Sequence, residues 1–366
     1  MKVALVHDWL TGMRGGEYVL EAIAEIFPKA DLYTLLCVPE KISPILATLK
    51  RHTSWLQKVP FAEKRYRSFL PLMPHMIETF KLNDYDLIIS SSHCVAKGII
   101  KNKNAIHIAY THSTMRYMWD RFEDYFGKGQ ANLPVRLGAH IFRKRLQAWD
   151  KKTSSIDRVD FFIANSQFIA GKIKEFYKRD AKVIYPFVNL DRFTLPRAPG
   201  KNYLIVSAFA PNKRIDLAIE AFNQLKLPLM IVGSGQDEKK LKSMAGPTID
   251  FLGPVSNKII SELYAKCKAF IFPGIEDFGI TVLEAMAAGA PVIAYNKGGA
   301  TETITEKTGL FFEPQTAQAL VDAVLKIEHN QAIFSETDCR SRAALFTKKR
   351  FQSELISTIS GLVKRN

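Results

Sequence analysis

Two glutamates, Glu276 and Glu284, frame the run Phe272-Pro-Gly-Ile-Glu-Asp-Phe-Gly-Ile-Thr-Val-Leu-Glu-Ala-Met-Ala-Ala-Gly-Ala-Pro-Val-Ile-Ala294, with seven residues between them. An ionised carboxylate accepts hydrogen bonds on both oxygens, which suits vicinal hydroxyls such as those of a sugar or a ribose. Between the two acids, Asp277, Phe278, Gly279, Ile280 and Thr281 lead from a loop into a helix. The first N–H groups of a helix have no partner inside it and carry partial positive charge, so this turn suits a phosphate. Upstream, Lys213 and Arg214 fall at a strand-to-helix turn in Val206-Ser-Ala-Phe-Ala-Pro-Asn-Lys-Arg-Ile-Asp-Leu-Ala-Ile-Glu-Ala-Phe222. Two cations there can neutralise a diphosphate, the bland alternative being a solvated surface pair. The combination points to one pocket for sugar, ribose and diphosphate.

Weaker signals lie nearby. Gly233 opens a Gly-Ser-Gly turn after an apolar run, Val255 and Ser256 close Phe251-Leu-Gly-Pro-Val-Ser, and Gly298-Gly299 precede Glu302; any tight turn uses such glycines. In the first half, Asp8-Trp-Leu-Thr-Gly-Met-Arg-Gly-Gly-Glu17 lets backbone approach a ligand closely at Gly15 and Gly16. Its spacing is not GxGxxG and no acid ends the next strand, which argues against a dehydrogenase. Ile108-Ala-Tyr-Thr-His-Ser-Thr-Met-Arg-Tyr-Met-Trp-Asp120 puts His112 and Arg116 after a further strand among aromatics, as in a binding wall. A strand-end histidine is otherwise commonly a satisfied polar residue.

The elements that position these residues are short β-branched runs: Val3 to Val6, Leu87 to Ser90, Ile106 to Tyr110, Phe161 to Ala164, Tyr203 to Ser207, Leu229 to Val232, Ala269 to Phe272 and Pro291 to Ala294. Runs apolar on both faces, alternating with helical segments such as Leu217 to Leu225 and Ile259 to Lys266, spell parallel sheets covered by helices. Ligands of such sheets bind beyond the carboxyl ends of the strands, which is where the candidate residues fall. A chain of 366 residues exceeds what one core usually serves, so two domains are expected, with a cleft between them. Residues 186–200, rich in proline and without periodicity, read as the linker between domains 1–185 and 201–345. Residues 346–366 read as a last amphipathic helix able to pack back on the first domain.

The paired glutamates followed by Glu-Ala-Met-Ala-Ala-Gly-Ala-Pro-Val-Ile-Ala resemble the signature of the retaining GT-B glycosyltransferases of family 4. The resemblance implies two Rossmann-like domains whose parallel sheets face each other across a cleft. It implies that Glu276 faces the donor sugar and Glu284 the ribose, that Lys213 meets the diphosphate near Gly233, and that backbone around Val255 and Ser256 reads the base. It also implies that Gly15 and Gly16 close over the leaving phosphate, that His112 binds the donor sugar near the reacting centre, and that Arg116 faces substrate. One departure stands out: Ser207-Ala208 occupies the place of the usual Gly-Arg, and Arg214 is expected to supply part of the missing charge. The Lys213–Phe222 and Thr111–Asp120 runs look most like bacterial surface-polysaccharide mannosyltransferases, so GDP-mannose is the expected donor and a saccharide or lipid-linked saccharide the expected acceptor. No Asp-x-Asp motif ends a strand, so catalysis is expected to need neither metal nor cofactor.

Composition narrows the classes. The four cysteines are scattered without CxxC or a Cys/His cluster, so neither a disulfide framework nor a zinc site is indicated. The apolar run before Asp8 is too short for a signal peptide core and no eighteen-residue apolar stretch occurs, so a cytoplasmic protein, at most peripheral on a membrane, is expected. Residues 1–185 hold 29 Lys and Arg against 18 Asp and Glu, so most of the net charge of +15 lies in the first half. Within it, residues 50–80 mix Lys50, Arg51, Lys58, Lys64, Arg65 and Arg67 with Trp55, Phe61, Tyr66, Phe69, Leu70 and Met73, a composition that suits an anionic membrane surface as well as a solvated face over ordinary core. Two other readings stay open: a catalytically silent nucleotide-sugar-binding protein, which Ala208 makes conceivable, and a basic nucleic-acid binder. No recognisable DNA or RNA module supports the latter, so no nucleic-acid partner is expected.

Overall fold

Every residue of the first strand, β1 (Val3–His7), is buried, as its two-sided apolarity requires when helices cover both faces of a sheet. The computed structural model describes residues 1–129 and 131–363. Residues 364–366 of the expected last helix lie outside the described residues. β1 is joined by β2 (Asp31–Thr34), β3 (Lys50–Thr53), β4 (Leu87–Ser92), β5 (Ile106–Thr111), β6 (Phe161–Ala164) and β7 (Ala181–Val183) in a parallel sheet of order β3-β2-β1-β4-β5-β6-β7. A second parallel sheet, of order β10-β9-β8-β11-β12-β13, is built from β8 (Tyr203–Val206), β9 (Leu229–Val232), β10 (Ile249–Gly253), β11 (Phe270–Phe272), β12 (Val292–Tyr295) and β13 (Gly309–Phe312).

The chain divides into two units, residues 1–185 with 352–366, and residues 186–351. The expected linker is therefore part of the second unit. Val188 N donates to Phe346 O at 3.0 Å, and the Arg197 guanidinium donates to the carbonyls of Tyr264, Ala265, Cys267 and Lys268 at 2.7–3.2 Å. These bonds give a proline-rich segment without periodicity a fixed course. The final helix, Lys348–Val363, belongs to the first unit from Gln352 onward, where the Gln352 amide donates to Ala22 O at 3.0 Å and to Glu25 Oε2 at 2.8 Å.

The unanticipated strands are mostly edge strands or polar ones. β3 is Lys-Arg-His-Thr, largely exposed, and is held by its register on β2, Asp31 to Thr34 against Lys50 to Thr53. In the basic segment that follows, Tyr66 and Met73 are not available to a membrane: they are buried in the first unit's core with Leu56, Met76 and Ile77. Trp55, Phe61 and Leu72 are the large apolar residues there that face solvent, at 44%, 69% and 50% exposure. Among the described residues, no helix is long and apolar enough to cross a membrane. All four cysteines are buried and free.

Candidate functional site

In the second sheet the strand order reverses direction between β8 and β11, and a crevice opens at such a switch point because the flanking connections run to opposite sides. The loops leaving those two strands carry the candidate residues. They touch backbone to backbone: a Cβ on Gly274 would lie 2.6 Å from Asn212 O and 2.8 Å from Lys213 Cα, so only glycine allows the approach. Across this contact Lys213 Nζ forms an ion pair with Glu276 Oε1, and the buried Asn212 donates to the same oxygen at 3.3 Å. Both partners of the pair keep access to solvent, so a ligand can reach the pair from outside.

Neighbouring turns brace these loops. Gly299 N donates to Glu276 O at 2.9 Å, and Gly298, at φ +85°, would press a Cβ to 2.5 Å from that oxygen. The glycine pair thus lets β12's exit loop pack under residues 276–278. Gly233 (φ +134°) would clash with Ser207 O and approach Phe209, so the Gly-Ser-Gly turn supports the β8 loop. Gly279, at φ +90°, caps the helix Ile280–Ala287, which begins with Ile280 and Thr281.

Glu284 lies in that helix and is clamped on both oxygens. Arg192 Nη1 donates to Oε1 at 2.9 Å and the Tyr264 hydroxyl to Oε2 at 3.3 Å. Burial pushes the Glu284 carboxyl above its ordinary range, with Arg192 opposing the shift. Ser256 caps the helix Asn257–Lys266, its hydroxyl accepting from Ile259 N at 3.4 Å and its carbonyl from Ile260 N at 3.0 Å.

Three of the expected groups pack or pair within the protein. Phe278 is buried against Phe346, and Asp277 is buried as well. Arg214, in the left-handed conformation at φ 51°, bonds Asp216 through Nε at 3.2 Å and Gln315 at 3.5 Å, so part of its charge is answered within the protein. In the first unit, the aromatic wall after β5 is interior: Trp119 stacks on Phe176 and donates to Asp150 at 2.8 Å, while Met115 and Met118 are buried.

The first unit has its own switch point, between β1 and β4. Asp8, just after the end of β1 and fully buried, accepts from the backbone N–H groups of His93, Cys94, Val95 and Ala96 at 2.6–3.1 Å, and His93 Nδ1 lies 3.1 Å from its Oδ2. Next to it, the Ser91 hydroxyl bridges His7 Nδ1 at 3.1 Å and His112 Nε2 at 2.8 Å. One hydroxyl proton serves two imidazoles, so donating to one ring means accepting from the other. Burial, followed by the nearby His7 and His93, holds the His112 imidazole well below its usual range. Gly16 lies against that ring, a Cβ there falling 3.5 Å from Nε2, while Gly15 starts the helix Gly15–Ile26. Arg116 Nε donates to Ser113 at 3.2 Å. Asn212, Arg192, Tyr264, Ser91 and Asp8 join these sites without any spacing in the sequence that signals it. Among the described residues no three His, Cys, Asp or Glu side chains gather as a metal-holding group.

Residues 13–192 match the family model Glycosyltransferase Family 4, and residues 189–345 match Glycosyl transferases group 1. The alpha-1,3/1,6-mannosyltransferase ALG2 of Homo sapiens is 30% identical over 246 residues, 56% of this chain and 59% of that protein. The GDP-mannose-dependent monoacylated alpha-(1-6)-phosphatidylinositol monomannoside mannosyltransferase of Corynebacterium glutamicum is 33% identical over 137 residues, 33% of this chain and 36% of that protein. The chain thus spans only about three-fifths, at most, of the length of these curated relatives. Among solved structures, Anabaena HepE in complex with UDP-glucose has a TM-score of 0.69 at 18% identity, over 99% of this chain and 100% of that one, a likeness of fold alone. Its two parallel α/β sheets have the GT-B fold of such structures, and with the two family models together covering residues 13–345 the chain belongs to the family 4 and group 1 glycosyltransferases that these models describe.

Proposed function

We propose that the protein is a retaining glycosyltransferase that moves mannose from GDP-mannose to a saccharide or lipid-linked saccharide acceptor. The observation that carries this reading is the Lys213–Glu276 pair, braced by Asn212, at the switch point of the second sheet. A cation and a carboxylate in one exposed crevice fit a ligand with charge at one end and hydroxyls at the other. The likeness to two mannosyltransferases, one of them named as GDP-mannose-dependent, supports the choice of sugar and base.

A nucleotide sugar reacts by losing a diphosphate, and the barrier falls as the growing negative charge is stabilised. Lys213, the remaining charge of Arg214 and the N-terminus of Ile280–Ala287 supply that stabilisation without a metal. Glu276 accepts hydroxyls of the donor sugar, Glu284 those of the ribose, and the backbone at Val255 and Ser256 reads the base. In the first unit, His112, whose burial disfavours its charged form, offers substrate a hydrogen-bonding ring without a full positive charge. The exposed Trp55, Phe61 and Leu72, with Lys58, Lys64, Arg65 and Arg67 around them, form the face we assign to an anionic membrane carrying the acceptor.

The test is a thermal-shift comparison of GDP, UDP and ADP followed by transfer assays with the matching radiolabelled sugar nucleotides. GDP at a hundred times its dissociation constant should stabilise the protein by about 2.7 kcal/mol, and mannose should reach the acceptor fraction. A larger shift with UDP, or transfer from a UDP-sugar only, would replace GDP-mannose. No shift with any of the three would remove the nucleotide-sugar reading.

A further inference from the structure

Arg192 belongs to the segment expected as a linker, yet its guanidinium touches two parts of the candidate site. Nη1 donates to Glu284 Oε1 at 2.9 Å and Nη2 to Asn257 Oδ1 at 3.2 Å. Asn257 is the first residue of the helix capped by Ser256, so one planar group joins the carboxylate of Ile280–Ala287 to the loop that ends at Val255 and Ser256. The segment around it is fixed: the Asn189 side chain accepts from Asp191 N at 3.2 Å, and Arg340 donates to Phe193 O at 2.7 Å. Arg192 is thus held from behind while its fork faces the two contacts.

The lone-pair count at Glu284 gives this arrangement a chemical meaning. A carboxylate offers about four acceptor positions, two on each oxygen. Arg192 occupies one on Oε1 and the Tyr264 hydroxyl one on Oε2. These two bonds leave one position per oxygen, and two vicinal hydroxyls can donate to one position on each oxygen. Burial works against ionisation of this carboxyl, and Arg192 is the leading group acting the other way.

We infer that Arg192 is a positioning residue for nucleoside recognition, holding the Glu284 carboxylate at a set orientation and distance from the base-side loop so that a ribose 2′,3′-diol is told from a deoxyribose. The inference rests on the reading that the crevice takes a nucleoside diphosphate. A rigid bidentate acceptor discriminates strongly against an analogue lacking one hydroxyl, because a buried acceptor position is then left empty. A carboxylate free to turn loses that discrimination.

The experiment measures dissociation constants by calorimetry for GDP, 2′-deoxy-GDP and inorganic diphosphate with the wild-type chain, Arg192→Ala, Arg192→Lys and Asn257→Ala, with Tm recorded for each. The wild type should prefer GDP over its 2′-deoxy form by roughly tenfold or more. Arg192→Ala should bring that ratio close to one while leaving the affinity for inorganic diphosphate unchanged. Arg192→Lys, with the charge but not the fork, should recover part of the GDP affinity but not the full ratio, and Asn257→Ala should lower the ratio partially. A ratio that stays at the wild-type value in Arg192→Ala overturns the inference, and so does a uniform loss for all three ligands with a fallen Tm in both Arg192 variants. No binding of GDP, UDP or ADP by the wild type overturns the nucleotide-sugar reading itself.

Discussion

Lys213 and Glu276, 63 residues apart in the chain, meet as an ion pair between the loops that leave two adjacent strands, β8 and β11. Neither loop alone builds the site. The pair exists because Gly274 lets the β11 loop lie on the backbone of Asn212 and Lys213, and because Asn212 donates to the same carboxylate oxygen. On the proposed function, an entering donor exchanges this internal pairing for phosphate on the lysine and sugar hydroxyls on the glutamate.

Replacing Lys213 by Ala is therefore expected to lower kcat by about 10² to 10³, the usual cost of losing one preorganised group that stabilises transition-state charge. Glu276→Ala should lower transfer to a similar extent. The double variant should lose far less than the product of the two, since the groups act as a unit, which steady-state kinetics on all three variants checks. Activity should persist in excess EDTA, and its abolition with recovery on adding a divalent cation would show a metal requirement.

Asp8 makes a stability prediction. Its fully buried carboxylate accepts from four backbone N–H groups. Asp8→Ala should destabilise the protein by about 3 to 5 kcal/mol by leaving those donors unpaired, and Asp8→Asn by less because one amide oxygen still accepts. Urea unfolding curves of the two variants distinguish the cases.

The histidines of the first unit predict acid sensitivity. His107, fully buried, donates through Nδ1 to Arg158 O at 2.6 Å and meets the Ser90 hydroxyl at 2.8 Å through Nε2. Burial, the largest influence, pushes it down to about 4, and His7 and His112 are lowered too. A lowered folded-state value means that the unfolded chain binds the proton first. Stability from these groups is complete above about pH 6.5, where the unfolded histidine is neutral, and is lost as the pH falls toward 4. His107 alone accounts for about 3 kcal/mol across that window. Tm measured from pH 7 to 4 should fall, and His107→Asn should flatten the slope by close to one proton.

The proposed assignment of residues 50–80 to a membrane surface predicts binding to anionic vesicles. Reversing Arg65 and Arg67 to Glu should weaken pelleting with phosphatidylglycerol-containing liposomes by at least tenfold, at about 1 kcal/mol for each basic charge near the surface. Trp55→Ser with Phe61→Ser should weaken it further. Binding that ignores both pairs of changes would place any membrane contact elsewhere.

Much of this protein was legible from residue order. Runs such as Phe161–Ala164 and Leu229–Val232 read directly as strands because a strand covered on both faces is apolar throughout, and the Glu276–Ala294 run carried its family in a contiguous stretch. Edge strands were not legible: β3 is Lys-Arg-His-Thr, and what makes it a strand is the free ladder of β2, not its own composition. Tertiary packing also decided which apolar residues are surface and which are interior, drawing Tyr66 and Met73 into the core and stacking the half-buried Trp119 on Phe176. Above all it recruited Arg192, Tyr264 and Asn212, whose partners lie 92, 20 and 64 residues away. Residue order determines chemistry that lies within one loop and helix, because local geometry alone places it. A hydrogen bond between distant segments is decided only when strand order and glycine contacts bring those segments together.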